Sequence, residues 1–274
     1  MKKTILLFGD LCIDQNNING KRILGPGGAS YFCAKILKGL GWQPIIVSPR
    51  GKDYKTDWLR SIGFYPEKTL QQNTLIYKNC YDFRGKRTLY ARNLKSASFI
   101  NPLSIPKDFY KKSRAVIVCP IGNPPALKEI KKLRIKAGKK TLFFCLAQGF
   151  FRRYKKNGKV FQSNWKNVKN IIPHFDIIFL SEEDGKNLDQ NALSWSKLGP
   201  LIALTRAEKG CTVFQNGKKT DFPAFPVKKV LNPVGAGDVF SSAFIHARLS
   251  NKKIAQAAIF ANKTAASHIS ESLK

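Results

Sequence analysis

The chain has 274 residues, 43% of them hydrophobic, and 48 Lys and Arg against 17 Asp and Glu, for a formal net charge of +31. That is enough apolar matter to bury a sizeable core in one large domain, or in one domain with a small appendage, and it excludes a disordered chain. The charge attracts anions, but the lysines are spread along the whole chain without a basic tail or an aromatic-rich RNA-recognition signature. A dedicated nucleic-acid function is therefore disfavoured against a basic, solvated surface that helps anionic substrates approach.

Met1-Lys2-Lys3 leads into a five-residue apolar stretch, too short for a secretory h-region, and no apolar run reaches membrane-spanning length. A cytoplasmic protein with no membrane partner is expected. Short apolar runs with β-branched and aromatic content follow at residues 4–8, 44–48, 115–119, 141–146, 176–180 and 201–205. Between and after them lie segments of helical periodicity, such as 29–40 before Gly41, 125–137 before Gly138, and 239–249. This alternation predicts a mostly parallel sheet with helices on both faces. Residues 11–24 and 74–96 break it with polar, period-two patterns and a turn at Arg84-Gly85-Lys86, which predicts a small antiparallel flap on the edge of the main sheet. Within the flap, Tyr81, Arg84 and Arg87 could close over a ligand. Asn123-Pro124-Pro125 reads as a loop within the domain.

The six cysteines stand singly, mostly in apolar runs, with no histidine at metal-ligand spacing, and read as reduced core residues. His174, His246 and His268 are isolated and read as structural. No G-x-x-x-x-G-K-[ST] motif occurs, and no G-x-G-x-x-G follows the first strand.

The segment that carries most chemistry is Asn232-Pro233-Val234-Gly235-Ala236-Gly237-Asp238, followed by a helical run. Glycines ahead of a helix let consecutive backbone N–H groups converge where the helix dipole is positive, which makes an anion hole. An aspartate beside that anion can take a proton from an attacking hydroxyl during phosphoryl transfer. A helix that merely uses Asp238 as its N-cap would account for the same residues.

This segment resembles the C-terminal signature of ribokinase-like (PfkB) carbohydrate kinases, and further motifs agree in order from Thr4 to about Ala266. Gly9, Asp10 and Asp14 resemble the family's opening motif. Gly27-Gly28-Ala29 resembles its double-glycine substrate motif, Gly51 and Asp53 follow the second strand as in the family, and Thr205 to Gly210 resembles its nucleotide loop. The resemblance implies a three-layer α/β/α domain spanning residues 1–274, with a small β lid inserted at about 11–24 and 74–96. It implies Asp238 as catalytic base, with Gly235, Ala236 and Gly237 holding the transferring phosphate. It also implies Asp14, Gly27, Gly28 and Arg152 at the acceptor, and Thr205, Gly210 and Asn262 along the nucleotide. ATP and Mg²⁺ would be the cofactors, with Glu183 and Asp184 toward the metal, although an acidic loop capping a helix explains those two equally. The acceptor would be a small sugar, polyol or nucleoside, and the lid is a surface through which a homodimer could form.

Departures from the family pattern are Asn232-Pro233 for Asp-Thr, Ala207 for the first glycine of the nucleotide loop, and Tyr31-Phe32 where an asparagine is usual. In addition, apolar Leu146 and Ala147 stand ahead of Gln148-Gly149-Phe150-Phe151-Arg152 where an aspartate is usual. They keep open a catalytically impaired ribokinase-like binding or regulatory protein. The net charge keeps open a nucleic-acid-binding one.

Overall fold

A computed structural model describes residues 3–18, 21–81, 87–231 and 234–270. Strands β1 (Thr4–Gly9), β2 (Cys12–Ile18) and β3 (Lys21–Gly27) lead to helix α1 (Ala29–Gly39). Then come β4 (Gln43–Val47), β5 (Gly63–Tyr65), β6 (Leu75–Tyr81), β7 (Arg87–Arg92), α2 (Lys107–Lys112), β8 (Ser113–Cys119) and α3 (Leu127–Ala137). The central part continues with β9 (Leu142–Leu146), β10 (Arg152–Tyr154), β11 (Val160–Gln162), α4 (Val168–Ile171), β12 (Ile177–Ser181) and α5 (Leu188–Trp195). The last elements are β13 (Leu201–Thr205), β14 (Cys211–Gln215), β15 (Lys218–Phe222), α6 (Ala236–Leu249) and α7 (Ile254–Ser270).

Among the described residues, nine strands form one sheet in the order β15-β14-β13-β12-β9-β8-β1-β4-β5. All neighbours from β5 to β13 are parallel, and β14 and β15 close one edge as antiparallel strands. Strand β1 shows why the apolar runs are unbroken. Its Ile5 and Leu7 pack with Phe244 of α6 and Ala258 of α7, while Leu6 and Phe8 pack with Ile130 and Leu133 of α3. A strand covered on both faces has no polar side to alternate with, so the three-layer α/β/α reading is borne out. Helix α6 is apolar nearly all round for the same reason, lying against α1, α7 and the sheet. Truncating its fully buried Phe244 to alanine would cost about 3–5 kcal/mol.

The flap differs from the expectation. Segments 11–24 and 74–96 form a separate four-stranded sheet, β3-β2-β6-β7, rather than an extension of the main sheet. Its two hairpins are antiparallel, but β2 and β6 run parallel, so the lid is mixed. A clasp sets that direction: Asp53 Oδ1 accepts both the amide and the hydroxyl of Thr74 at 2.7 Å, launching β6 beside β2 with Leu75 opposite Cys12. The Arg84-Gly85-Lys86 turn, and the side chains of Tyr81 and Arg87, lie outside the described residues. The hairpin β10–β11 was not anticipated. Its tip docks on the lid through the Ala91 amide, which donates to the Gly158 carbonyl at 2.8 Å.

All six cysteines are unpaired, and all but Cys80 are buried. No helix among the described residues is long and apolar enough to cross a membrane.

Candidate active site

The carboxyl ends of the parallel strands border a cleft of about 870 Å³, the usual ligand position in open α/β sheets. Its floor is a knot at the ends of β1 and β8. Asp10 Oδ2 accepts the amides of Ile121 and Gly122, each at 2.8 Å. The Ile121 carbonyl accepts the hydroxyls of Tyr77 at 2.5 Å and Tyr154 at 2.7 Å. These bonds tie the ends of β1 and β8 to β6 and β10. Burial raises the Asp10 carboxyl above its usual range, and the two amides oppose it.

Asp14 lines one wall, on β2 opposite Tyr77 of β6, with the Cys12 thiol 3.5 Å from its Oδ1. Gly27 stands so close that a β-carbon there would lie 2.3 Å from Asp14 Cγ. Gly28 is the N-cap of α1 with φ 99°, and a β-carbon on it would lie 2.3 Å from the Asp10 carbonyl oxygen. Phe32 lines the cleft and Tyr31 packs edge-on against it, so an aromatic wall does occupy this region.

Across the cleft, α6 begins earlier than periodicity suggested. Gly235 is its N-cap at φ 77°, and Asp238 is the third helical residue. The N-cap alternative for Asp238 is thereby corrected: only glycine takes this left-handed conformation without strain, so the helix starts there. Its first backbone bond runs from the Val239 amide to the Gly235 carbonyl. The amides of Ala236, Gly237 and Asp238 thus precede the first intrahelical partner and lie at the positive end of the dipole. Gly235, Ala236, Gly237 and Asp238 all line the cleft. Burial pushes the Asp238 carboxyl up to about 7, with Arg152 opposing and Asp14 and Asp184 adding to the rise.

Arg152 is half-buried. It begins β10, bonds Gln148 Oε1 at 2.6 Å and holds its guanidinium over the Tyr77 ring, 5.5 Å from the centroid. Burial works against its charge, but Tyr77, Tyr154 and Asp184 outweigh that and raise its pKa. It is the cation that Asp10, Asp184 and Asp238 share.

Glu183 and Asp184 line the cleft on a turn after β12, where the Ser181 amide donates to Asp184 Oδ2 at 2.8 Å. Burial pushes Asp184 up to about 6. Among the described residues no three His, Cys, Asp or Glu side chains group as a metal site. Two carboxylates lining the cleft nevertheless fit Mg²⁺, which takes one or two protein oxygens and completes its shell with phosphate and water.

Of the residues expected along the nucleotide, Thr205 lines the cleft, its hydroxyl donating to the Leu180 carbonyl at 3.2 Å. Gly210 and Asn262 stand outside that lining and meet at one turn. Asn262 Nδ2 donates to the carbonyls of Phe222 and Pro223 at 3.0 Å, and a β-carbon on Gly210 would lie 2.2 Å from the Phe222 oxygen. Ala207 holds φ 46°, so the alanine sits where a glycine would be unstrained. Asn232 and Pro233 lie outside the described residues. Sequence reasoning missed Tyr154 and the cleft-lining Lys159, Val160 and Gln162, all supplied by the β10–β11 hairpin. A glycine at Gly158 between two short polar runs was the available signal.

The model of the pfkB family carbohydrate kinases matches residues 151–273. A cytidine kinase of Thermococcus kodakarensis is 24% identical over 257 residues, covering 88% of this chain and 87% of that protein. Adenosine kinase from Sinorhizobium meliloti superposes with a TM-score of 0.78 at 15% identity, over 99% of this chain and 95% of that one. A pyrophosphate-dependent kinase in the ribokinase family does so with a TM-score of 0.77 at 20% identity, over 98% and 96%. The fold is that of the ribokinase-family kinases. Family model, relative and fold agree with the ordered motifs, and the chain is similar to the ribokinase-like (PfkB) carbohydrate kinases, with the family model matched over residues 151–273.

Proposed function

We propose that the protein transfers the γ-phosphoryl group of ATP to a hydroxyl of a sugar, polyol or nucleoside, with Asp238 as general base. The observation that carries this reading is Asp238 itself: a carboxyl with its pKa pushed up to about 7, beside three amides without intrahelical partners, across one cleft from Asp14. A base works best when its pKa lies near the working pH. In the reaction the acceptor O–H bond breaks and its proton passes to Asp238. The acceptor oxygen bonds to the γ-phosphorus, the β–γ bridging bond breaks, and ADP leaves.

The amides of Gly235, Ala236 and Gly237 hold the transferring group's negative charge. Asp14 accepts hydrogen bonds from other acceptor hydroxyls, with Gly27 and Gly28 leaving it room, and Arg152 adds positive charge between the two ends. Thr205 borders the nucleotide, and Gly210 and Asn262 act through the Phe222–Pro223 turn that they shape. Glu183 and Asp184 would hold Mg²⁺ with the donor phosphates, and the ion supplies charge neutralisation there. No observation favours the impaired-binder or nucleic-acid reading over this one.

The test is Asp238→Asn with its pH profile. Asparagine keeps the shape but takes no proton, so kcat should fall roughly a hundred- to ten-thousand-fold while ATP binding stays near normal. In the wild type the rate should rise with pH through about 7, as Asp238 ionises. Arg152→Gln, which removes a charge that lowers that pKa, should move this limb upward. Stability has the opposite sign. A carboxyl raised above its unfolded value disfavours the fold once ionised, so wild-type stability should decline between about pH 4 and 7, and Asp238→Asn should lessen that decline, leaving the share of Asp10 and Asp184. A kcat within about threefold of wild type sinks the assignment.

A further inference from the structure

His268 bears on the glycine loop from the far end of the chain. Its Nε2 lies 2.9 Å from the carbonyl oxygen of Val234, the residue just before the N-cap of α6. One residue on, the Ile269 carbonyl accepts the amide of Leu231 at 2.7 Å. The last turn of α7 therefore holds both Leu231 and Val234, the latter just ahead of α6. A carbonyl can only accept, so Nε2 carries a hydrogen, which the neutral Nε2–H tautomer and the imidazolium both provide.

The consequence follows from peptide geometry. The Val234 carbonyl and the Gly235 amide belong to one planar trans unit and point in opposite directions. Holding the carbonyl fixes the direction of the amide, and with it the left-handed turn at φ 77° from which α6 starts. Side-chain packing adds little restraint there: a β-carbon on Gly235 would meet only Phe32 among the described residues, at 3.7 Å.

We infer that His268 is a positioning residue for phosphoryl transfer: by holding the Val234 carbonyl it aims the Gly235 amide and the first turn of α6 at the transferring group. The inference rests on the proposed role of Gly235, Ala236 and Gly237 as the anion hole. A histidine without a serine, cysteine or metal partner thus acquires a task that spacing along the chain does not disclose.

The experiment compares His268→Phe, which keeps a ring and loses the donor, with His268→Gln, whose amide places a donor at similar reach. Readouts are kcat, KM for ATP and for the acceptor, melting temperature, and hydrogen exchange of the Val239 amide, the first with a partner in α6. His268→Phe should lower kcat about 10- to 100-fold, less than the loss of a whole oxyanion donor, with acceptor KM little changed and faster exchange at Val239. His268→Gln should restore both to within about threefold of wild type. Wild-type rate and exchange in His268→Phe would overturn the inference. So would equal losses in the two variants, because ring packing would then be the cause. A lower melting temperature with unchanged kcat also counts against it. Should the wild type transfer phosphate to no acceptor, the proposed function fails by itself. The exchange comparison still decides this inference: protection that falls in His268→Phe and returns in His268→Gln upholds it, and equal protection throughout removes it.

Discussion

At the acceptor end of the cleft, a β-carbon on Gly27 would lie 2.3 Å from Asp14 Cγ, and one on Gly28 would lie 2.3 Å from the Asp10 carbonyl oxygen. At the α6 end, a β-carbon on Gly237 would meet nothing within 4 Å, and one on Gly235 only Phe32. The first pair is glycine because protein already fills the space. The second borders open space: backbone conformation calls for glycine at Gly235, and on the proposed function close approach of a phosphate would call for it at Gly237. One wall of the cleft is thus packed against itself, while the other is open.

Substitutions with alanine can break or sharpen this contrast. The largest effect on the fold is expected at Gly28. A left-handed φ of 99° adds strain to a backbone overlap that neither neighbour can escape, because Ser30 Oγ also holds the Asp10 carbonyl. Gly28→Ala should cost about 3–5 kcal/mol, the sum of backbone strain and overpacking. Its melting temperature should drop by roughly 6–15 °C, and a shift below about 2 °C would remove the packing argument. Gly27→Ala comes next and should act on function more than on folding. Its β-carbon collides with a carboxyl that can rotate away, so Asp14 should be displaced from the acceptor wall. The expected result is a rise in acceptor KM of about 10- to 100-fold with stability altered by about 1 kcal/mol. An unchanged KM would mean that Asp14 does not hold the acceptor.

The two walls were not equally legible from sequence. The parallel core was, because β1 is covered on both faces and so appears as an unbroken apolar run. Of the residues that came together in the cleft, Asp238 sits at a helix start and Asp14 near the start of β2, and glycines mark the chain ahead of both. Direction within the lid was not legible, since the parallel pairing of β2 and β6 is set by Asp53 and Thr74, 21 residues apart. Nor was the placement of Asn262 and Gly210. The resemblance implies both along the nucleotide, Gly210 in a loop and Asn262 on a late helix, yet both meet the Phe222–Pro223 turn, a contact that depends on how α7 lies against β15. That Arg152 is shared by three carboxyls was not legible either, because nothing in its neighbourhood along the chain reveals Asp10 after β1, Asp184 after β12 and Asp238 in α6 gathered around it.

The smallest expected effect falls on Gly237, and it separates the two walls most cleanly. Gly237 is the second residue of α6, carries no left-handed φ, and has open space where a β-carbon would go. Alanine is the better helix former, so Gly237→Ala should leave stability unchanged or raise it by up to about 0.5–1 kcal/mol. The added methyl would border the cleft beside the amides proposed to hold the transferring phosphate. It should hinder close approach of an anion and lower kcat/KM for ATP about 3- to 10-fold, with acceptor KM unaffected. Equilibrium unfolding and donor kinetics on one preparation check both halves. A loss of stability above about 1 kcal/mol would show that Gly237, like Gly28, serves the fold. An unchanged donor kcat/KM would show that nothing approaches the loop at this point, and the contrast between a packed wall and an open one would lose its functional meaning.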